Sequence, residues 1–521
     1  MTRNYILKKV EVFKKLSTGS WDSNSIELDD ATNIEVRKGL GKRKDTFSFK
    51  IRVTKRNNIY ETLYSGDSST RNFTLKYGPI NSDFVQGANK KCFVYVDDVL
   101  QAYTTDYTIS GSTLTFAVGN APSSGTDNIR VVFPVVESGD LIRISQVKNT
   151  TSFGNSDILI EGTCSKPEFS VSATDYTYTV NGYGIIENLF SSLVFVKDSA
   201  LTKPHLIIQN ILTQINNYNR LRKIYGENST EWDNIGNATK KSDNTDFSDI
   251  QYYSSYRPAL EIIEEVSSDR YTKDGAYYFY VQYNGTDDRH EFHWSYKDPS
   301  ADSSKSLAEG SDNIKKIKVY KDDNEVVNTV IYNVGVDCYG TPQEFLNHAQ
   351  VSVGSKIAKW KYVLETNHII SDLINQEFEE NRALWDTAAD GTRTSNFPND
   401  TSSWTFQFET RNDDGTLTGT KATATSDKTF NDAIVEEARW RGKEATDRIL
   451  EMFQAPRIKA EVTLPFTTNW TLGDLIPVTS ETFNLNKYPL RIVEIKHTDT
   501  DTILYLEEDE TTAIERVISG G

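Results

Sequence analysis

The sequence is short of most residues that carry chemistry. Among 521 residues there are three cysteines, two methionines and six histidines. Cys92, Cys164 and Cys338 lie far apart, show no metal-ligand spacing and cannot all pair, which excludes a disulfide scaffold and a cysteine zinc cluster. They read as buried thiols of a protein made in a reducing compartment. Long apolar runs are missing as well: none nears the roughly 20 residues a membrane helix needs. Met1-Thr2-Arg3-Asn4-Tyr5 leads into no apolar signal core. A soluble chain with no membrane insertion is expected. Basic charge is also scarce, with 57 Lys and Arg against 74 Asp and Glu, for a net charge of −17. That excludes a general nucleic-acid binder, whose footprint is basic. An acidic surface serves solubility, and it also keeps phosphates from sticking along a passage.

What the chain has is aromatic bulk, with 27 Tyr, 24 Phe and 8 Trp, enough for several packed cores in a chain of this length. The motifs that suggest catalysis fail on spacing. His290-Glu291-Phe292-His293 has histidines three apart on a strand-like segment, which points them to opposite faces, where a zinc protease needs a helical spacing of four. Gly39-Leu40-Gly41-Lys42 lacks the earlier glycine of a phosphate loop, since Val36 stands there, and Arg43 replaces the magnesium-binding Ser or Thr. No two of the many carboxylates are singled out as an acid pair. No catalytic, cofactor or metal site is expected. The basic run Arg37, Lys38, Lys42, Arg43, Lys44 stands out against the acidic background, either as a solvated loop or as a contact for an acidic partner.

The most informative pattern occurs twice. Ser138-Gly139-Asp140-Leu141-Ile142-Arg143-Ile144 and Leu472-Gly473-Asp474-Leu475-Ile476-Pro477-Val478 each place a Gly-Asp turn before an alternating strand. Each is followed by a second alternating run, Asp157 to Glu161 and Leu490 to Ile495. Two related small barrels in one chain are expected, with Gly139, Asp140, Gly473 and Asp474 at equivalent turns. Ser25–Leu28 and Thr46–Val53 also alternate. From about Ser65 to Pro134 a segment with its own strands and a Ser110-Gly111-Ser112 hairpin reads as an all-β insertion. Helical spacing appears from Pro204 to Tyr218, at Pro258–Val266, at Asn367–Trp385 and at Asp432–Met452. A hairpin is expected around Asn284-Gly285, and a polar loop or small hairpin at 386–428.

The residues Phe47-Ser48-Phe49-Lys50-Ile51, Gly139-Asp140-Leu141-Ile142, Leu159-Ile160-Glu161-Gly162 and Tyr178 to Gly184, with Gly473-Asp474 to Arg491-Ile492, resemble the central hub proteins of long-tailed bacteriophages and related contractile injection systems. Val326 to Tyr332 with Val353-Gly354-Ser355 looks like the second half of such hubs. Val94 to Gln101, Asp106 to Ser112 and Ile129 to Phe133 resemble β-modules of tail fibres and spikes. The resemblance implies a mainly β fold with α+β parts: two tail-tube-like β-barrels, an inserted small β-sandwich and an α/β middle region. The expected divisions are barrel one at 1–63 and 135–190, the insert at 64–134, an α+β middle domain at 191–312, barrel two at 313–365 and 456–521, and helices with an exposed loop at 366–455.

It further implies a non-enzymatic homotrimer, whose doubled barrels present six similar surfaces to a hexameric tail tube protein. A central spike or fibre protein lies below. The tape-measure protein and peripheral baseplate components are further implied partners, and genomic DNA passes without specific binding. The location implied is the virion tail tip or baseplate, assembled in the host cytoplasm. The basic run from Arg37 to Lys44 is the expected tube contact. A receptor- or glycan-binding tail protein is the alternative. A secreted polysaccharide hydrolase is disfavoured by the missing signal peptide and acid pair.

Overall fold

The computed structural model describes residues 5–53, 60–86, 89–150, 152–171, 176–187, 192–197, 204–218, 224–225, 253–267, 277–284, 289–296, 304–311, 314–322, 329–337, 340–348, 365–369, 374, 406–411, 417–424, 427–453 and 457–508. The fold is mainly β with α+β parts. The chain divides into two compact units, one of residues 1–318 with 460–507, the other of 319–459 with 508–521.

In the first unit alternating sequences become strands with one face buried. Ten of them are labelled here: β1 Ile6–Phe13, β2 Ala31–Gly39, β3 Thr46–Val53, β4 Leu141–Lys148, β5 Ile158–Val171, β6 Tyr176–Gly184, β7 Arg457–Pro465, β8 Leu475–Ser480, β9 Leu485–Thr498 and β10 Asp501–Glu507. In β3, Phe47, Phe49, Ile51 and Val53 are buried while every second residue is not, as a period of two requires. The strands belong to one 13-stranded sheet whose path includes β1, β4, β5, β6, β3, β2, β9, β10 and β7 in that order, with β8 pairing β9 to one side.

This sheet corrects one expectation. Strands expected in both barrels share this one sheet, whereas Thr329–Val336 and Pro342–His348, expected in the second barrel, form another, and no closed barrel stands among the described residues. The reason is an edge pairing. Strand β2 uses Glu35–Gly39 to pair antiparallel with Glu494–Thr498 of β9, so the edge that would close a first barrel is taken by a strand from the far end of the chain. Alternation reveals that a strand is half-buried, not which neighbour satisfies its edge. Ion pairs reinforce the join, with Glu35 2.7 Å from Lys496 and Arg37 3.8 Å from Glu494.

The strands of the inserted segment form two small sheets. One orders Glu61–Gly66, Gly125–Val132, Phe93–Val96 and Val99–Leu100, the other Asn72–Thr74, Thr113–Phe116 and Tyr107–Ser110. Its core is continuous with that of the main sheet. Leu75, Phe84, Val94, Tyr107 and Phe133 form one continuous buried cluster with Val10, Phe49 and Ile144 of the main sheet.

A second cluster in this unit joins two helices to two hairpin-like sheets. Helix Pro204–Tyr218 buries Ile207, Ile208, Ile211, Leu212 and Ile215, and helix Ala259–Val266 buries Leu260, Ile262, Ile263 and Val266. The spacing of three and four puts these side chains on one face. They pack with Val194 and Val196, and with Phe279, Phe292 and Trp294 of the hairpin Tyr277–Asn284 and Arg289–Tyr296.

The second unit holds a three-stranded sheet of Pro342–His348, Thr329–Val336 and Glu365–Ile369, and the helix Asp427–Phe453. That helix approaches closely because Gly442 has no side chain: a Cβ there would lie 2.7 Å from the Tyr332 ring. Asn347 donates to Thr446 Oγ1 and Asp447 Oδ1 at 2.8 Å each. The helix expected from Asn367 begins instead as strand, since Asn367–Ile369 pairs parallel with Ile331–Asn333; except for Ile374, the remainder to Trp385 lies outside the described residues. So does the polar segment 228–249.

Candidate functional site: a repeated turn and its ion pairs

Gly139 and Gly473 occupy turns with the same backbone geometry. Their φ values are +88° and +87°, in the region where a side chain is strained and glycine is not. In the first turn Asp140 N–H donates to Glu137 O, Gly139 N–H to Cys164 O, and Cys164 N–H back to Asp140 O. In the second, Asp474 N–H donates to Thr471 O, Gly473 N–H to Ile492 O, and Ile492 N–H to Asp474 O. Each turn feeds a strand, β4 or β8, that pairs antiparallel with the next, β5 or β9. Each glycine carbonyl accepts a side-chain donor, Trp21 Nε1 at 3.0 Å and Arg491 Nη1 at 2.6 Å.

The aspartates also match. Lys14 Nζ lies 2.6 Å from Asp140 Oδ2, and Lys305 Nζ lies 2.6 Å from Asp474 Oδ2. The surroundings differ. In the first copy both side chains are only 3% exposed, and Lys14 also donates to Pro134 O and Glu137. In the second the exposures are 28% and 23%. Burial pushes the Asp140 carboxyl above its ordinary range in spite of Lys14. Burial, with Asp140 nearby, also pushes the Cys164 thiol up to about 12, so this cysteine is inert.

The basic run is distributed differently from the expected loop. Arg37 and Lys38 lie on β2, and only the following residues form the connection to β3. Its charges meet carboxylates of the same chain. Arg37 pairs with Glu35, Lys42 with Glu264 at 2.7 Å, Arg43 with Glu507 at 2.7 Å and Lys44 with Glu187 at 3.0 Å. Burial holds Lys38 below the usual lysine range, against the pull of Asp45. Burial raises Asp45 to about 7, although Gly39 N–H donates to it at 3.0 Å.

Sequence reasoning missed a buried network. Arg143 and Glu161 are register partners on β4 and β5. Arg143 reaches Glu161 Oε2 through Nε and Nη2 at 2.9 and 2.7 Å, and donates to Tyr283 Oη at 2.7 Å. His290 Nε2 lies 3.1 Å from Glu161 Oε1. The signal was available: an Arg and a Glu on adjacent alternating strands, at positions otherwise apolar. The network ties the Tyr283–His290 hairpin to the main sheet and leaves Glu161 fully engaged, which suits positioning and not proton transfer. His293 sits 3.8 Å from Glu291. Among the described residues no three His, Cys, Asp or Glu side chains come together as a metal site, and no helix is long and apolar enough to cross a membrane.

No protein-family profile and no curated protein matches the chain. Solved structures similar to it include tail proteins. The 43 kDa tail protein of prophage MuSo2 from Shewanella oneidensis is 9% identical with a TM-score of 0.43, covering 97% of this chain and 99% of that one. A tail protein from Neisseria meningitidis MC58 is 9% identical with a TM-score of 0.41, covering 98% of each chain. Prophage tail protein gp18 from Listeria monocytogenes EGD-e is 10% identical with a TM-score of 0.39, again covering 98% of each.

Proposed function

We propose that this chain is a structural, non-enzymatic component of a phage-type tail: the trimeric central hub that joins a hexameric tail tube to a spike or fibre. The observation that carries the reading is the repeated turn. Two Gly-Asp turns with matching hydrogen bonds and matching lysine partners sit on one sheet of one subunit. A trimer of such subunits would offer six similar but chemically distinct elements, which is what a threefold body needs to meet a sixfold one. The sequence resemblance to hub proteins points the same way. On this reading the chain resides in the virion tail, DNA passes through the assembled ring without specific contacts, and the acidic balance of the chain places more Asp and Glu than Lys and Arg along the passage.

The loop from Leu40 to Lys44 is kept as a candidate tube contact with one change. Its cations already hold Glu264, Glu507 and Glu187, so an acidic rim would exchange partners with them instead of meeting free charge. Native mass spectrometry and negative-stain imaging of the purified chain, alone and with its tube protein, test the proposal. A threefold ring that caps tube ends is expected. A stable monomer that ignores the tube would overturn it, and cleavage of a glycan by the purified chain would overturn the non-enzymatic part.

A further inference from the structure

The two copies of the turn differ at the lysine, and the second lysine borders a cavity. Lys305 is not sealed as Lys14 is. It lies with its ammonium 5.9 Å from the Trp470 ring centroid, and both residues line a cavity of about 510 Å³ between the end of β4, residues 305–311 with Ile314, and the stretch 464–470. This is the size of a site for a small ligand. Among the described residues its charged lining residues are Lys148 and Lys305, with no carboxylate, in a chain of net charge −17. Lys305 is neutralised by Asp474, whereas Lys148 has no ion-pair partner among the described residues. The side chains of Ser306, Ser311 and Asn469 line the same space, and among the described residues neither these groups nor the Trp470 indole N–H has a hydrogen-bond partner.

From this set we infer that the cavity is a binding site for an anionic saccharide. A half-buried tryptophan offers an apolar ring face on which the C–H face of a sugar can lie. The free amide and hydroxyls match a polyhydroxyl ligand, and Lys148 matches its carboxylate or phosphate. An acidic peptide would satisfy Lys148, and its backbone could meet the amide and hydroxyls, but it lacks the flat C–H face of a sugar ring that matches Trp470, so the saccharide fits the lining better. This inference stands apart from the hub reading, and either can fail alone.

The test is a glycan array carrying neutral and anionic oligosaccharides, probed with the labelled full-length chain, followed by calorimetry on the strongest anionic hit. Binding confined to anionic glycans is expected. Trp470→Ala and Lys148→Ala should each weaken the calorimetric affinity roughly tenfold, the scale of one charge-assisted hydrogen bond, and Trp470→Phe should retain most of it. Both side chains are only partly buried, so thermal melts should stay close to the parent; if Trp470→Ala melts early, Lys148→Glu decides alone. No anionic hit, equal binding of neutral glycans, hits insensitive to Lys148→Glu, or equal competition by a poly-glutamate peptide would each overturn the inference.

Discussion

Replacing Lys14 and Lys305 by methionine, one at a time, exposes how burial grades an otherwise identical ion pair. Both lysines sit 2.6 Å from an aspartate at equivalent turns, but the first pair is 3% exposed on each side and the second 28% and 23%. Removing one partner of a buried pair strands the other charge and costs about 3–5 kcal/mol, whereas an exposed pair is worth about 0–1 kcal/mol. The local readout is hydrogen exchange at the two amides held by the turns, Cys164 N–H to Asp140 O and Ile492 N–H to Asp474 O.

Lys14→Met should speed exchange around Cys164 by about two orders of magnitude or more, and Lys305→Met should change it around Ile492 by less than about fivefold. A pH dependence should accompany the first variant. Burial already raises Asp140, and loss of Lys14 raises it further. A carboxyl whose folded pKa exceeds its unfolded value destabilises the fold increasingly as pH rises through that interval, and not below it. The Lys14→Met deficit should therefore shrink at pH 4.5 relative to pH 8, and Lys14→Met with Asp140→Asn should recover part of it at pH 8. Equal effects of the two methionine variants, or a larger effect at Lys305, would refute the argument.

Gly139→Ala and Gly473→Ala share the strain of positive φ, about 1–2 kcal/mol, but a Cβ at 139 meets only Lys15 Cδ at 3.8 Å while one at 473 meets the Tyr278 ring. Denaturant titration should show Gly473→Ala to be the worse by about 1–3 kcal/mol. Asp45→Asn keeps an acceptor for Gly39 N–H and removes a carboxyl raised to about 7; its stability should improve relative to the parent between pH 5 and pH 8, read from urea midpoints. Lys42→Glu faces Glu264 in place of pairing with it, and at this exposed site thermal melts should shift by no more than the equivalent of about 1 kcal/mol.

The sequence by itself determined many of the local elements, although not the strand at Asn367–Ile369, where the spacing reads as helical. Alternation placed β3 and the strands after both Gly-Asp turns, the three-and-four spacing placed the helix from Pro204 to Tyr218, and the turn chemistry placed Gly139 and Gly473 at equivalent turns. Each of these depends on neighbours a few residues away, so a short window contains the cause. The tertiary structure decided what joins what. The pairing of Glu35–Gly39 with Glu494–Thr498 links residues more than four hundred positions apart, and nothing in either strand's alternation names its partner. For the same reason the insert's core could not be told from the main core, because a buried face looks alike whichever surface covers it. The basic run read as free charge until Glu187, Glu264 and Glu507 came beside it. Lys14 and Lys305 are the same residue type in similar company; only packing from other elements makes one a sealed ion pair and the other the wall of a cavity, because desolvation depends on everything nearby and not on the sequence around the group.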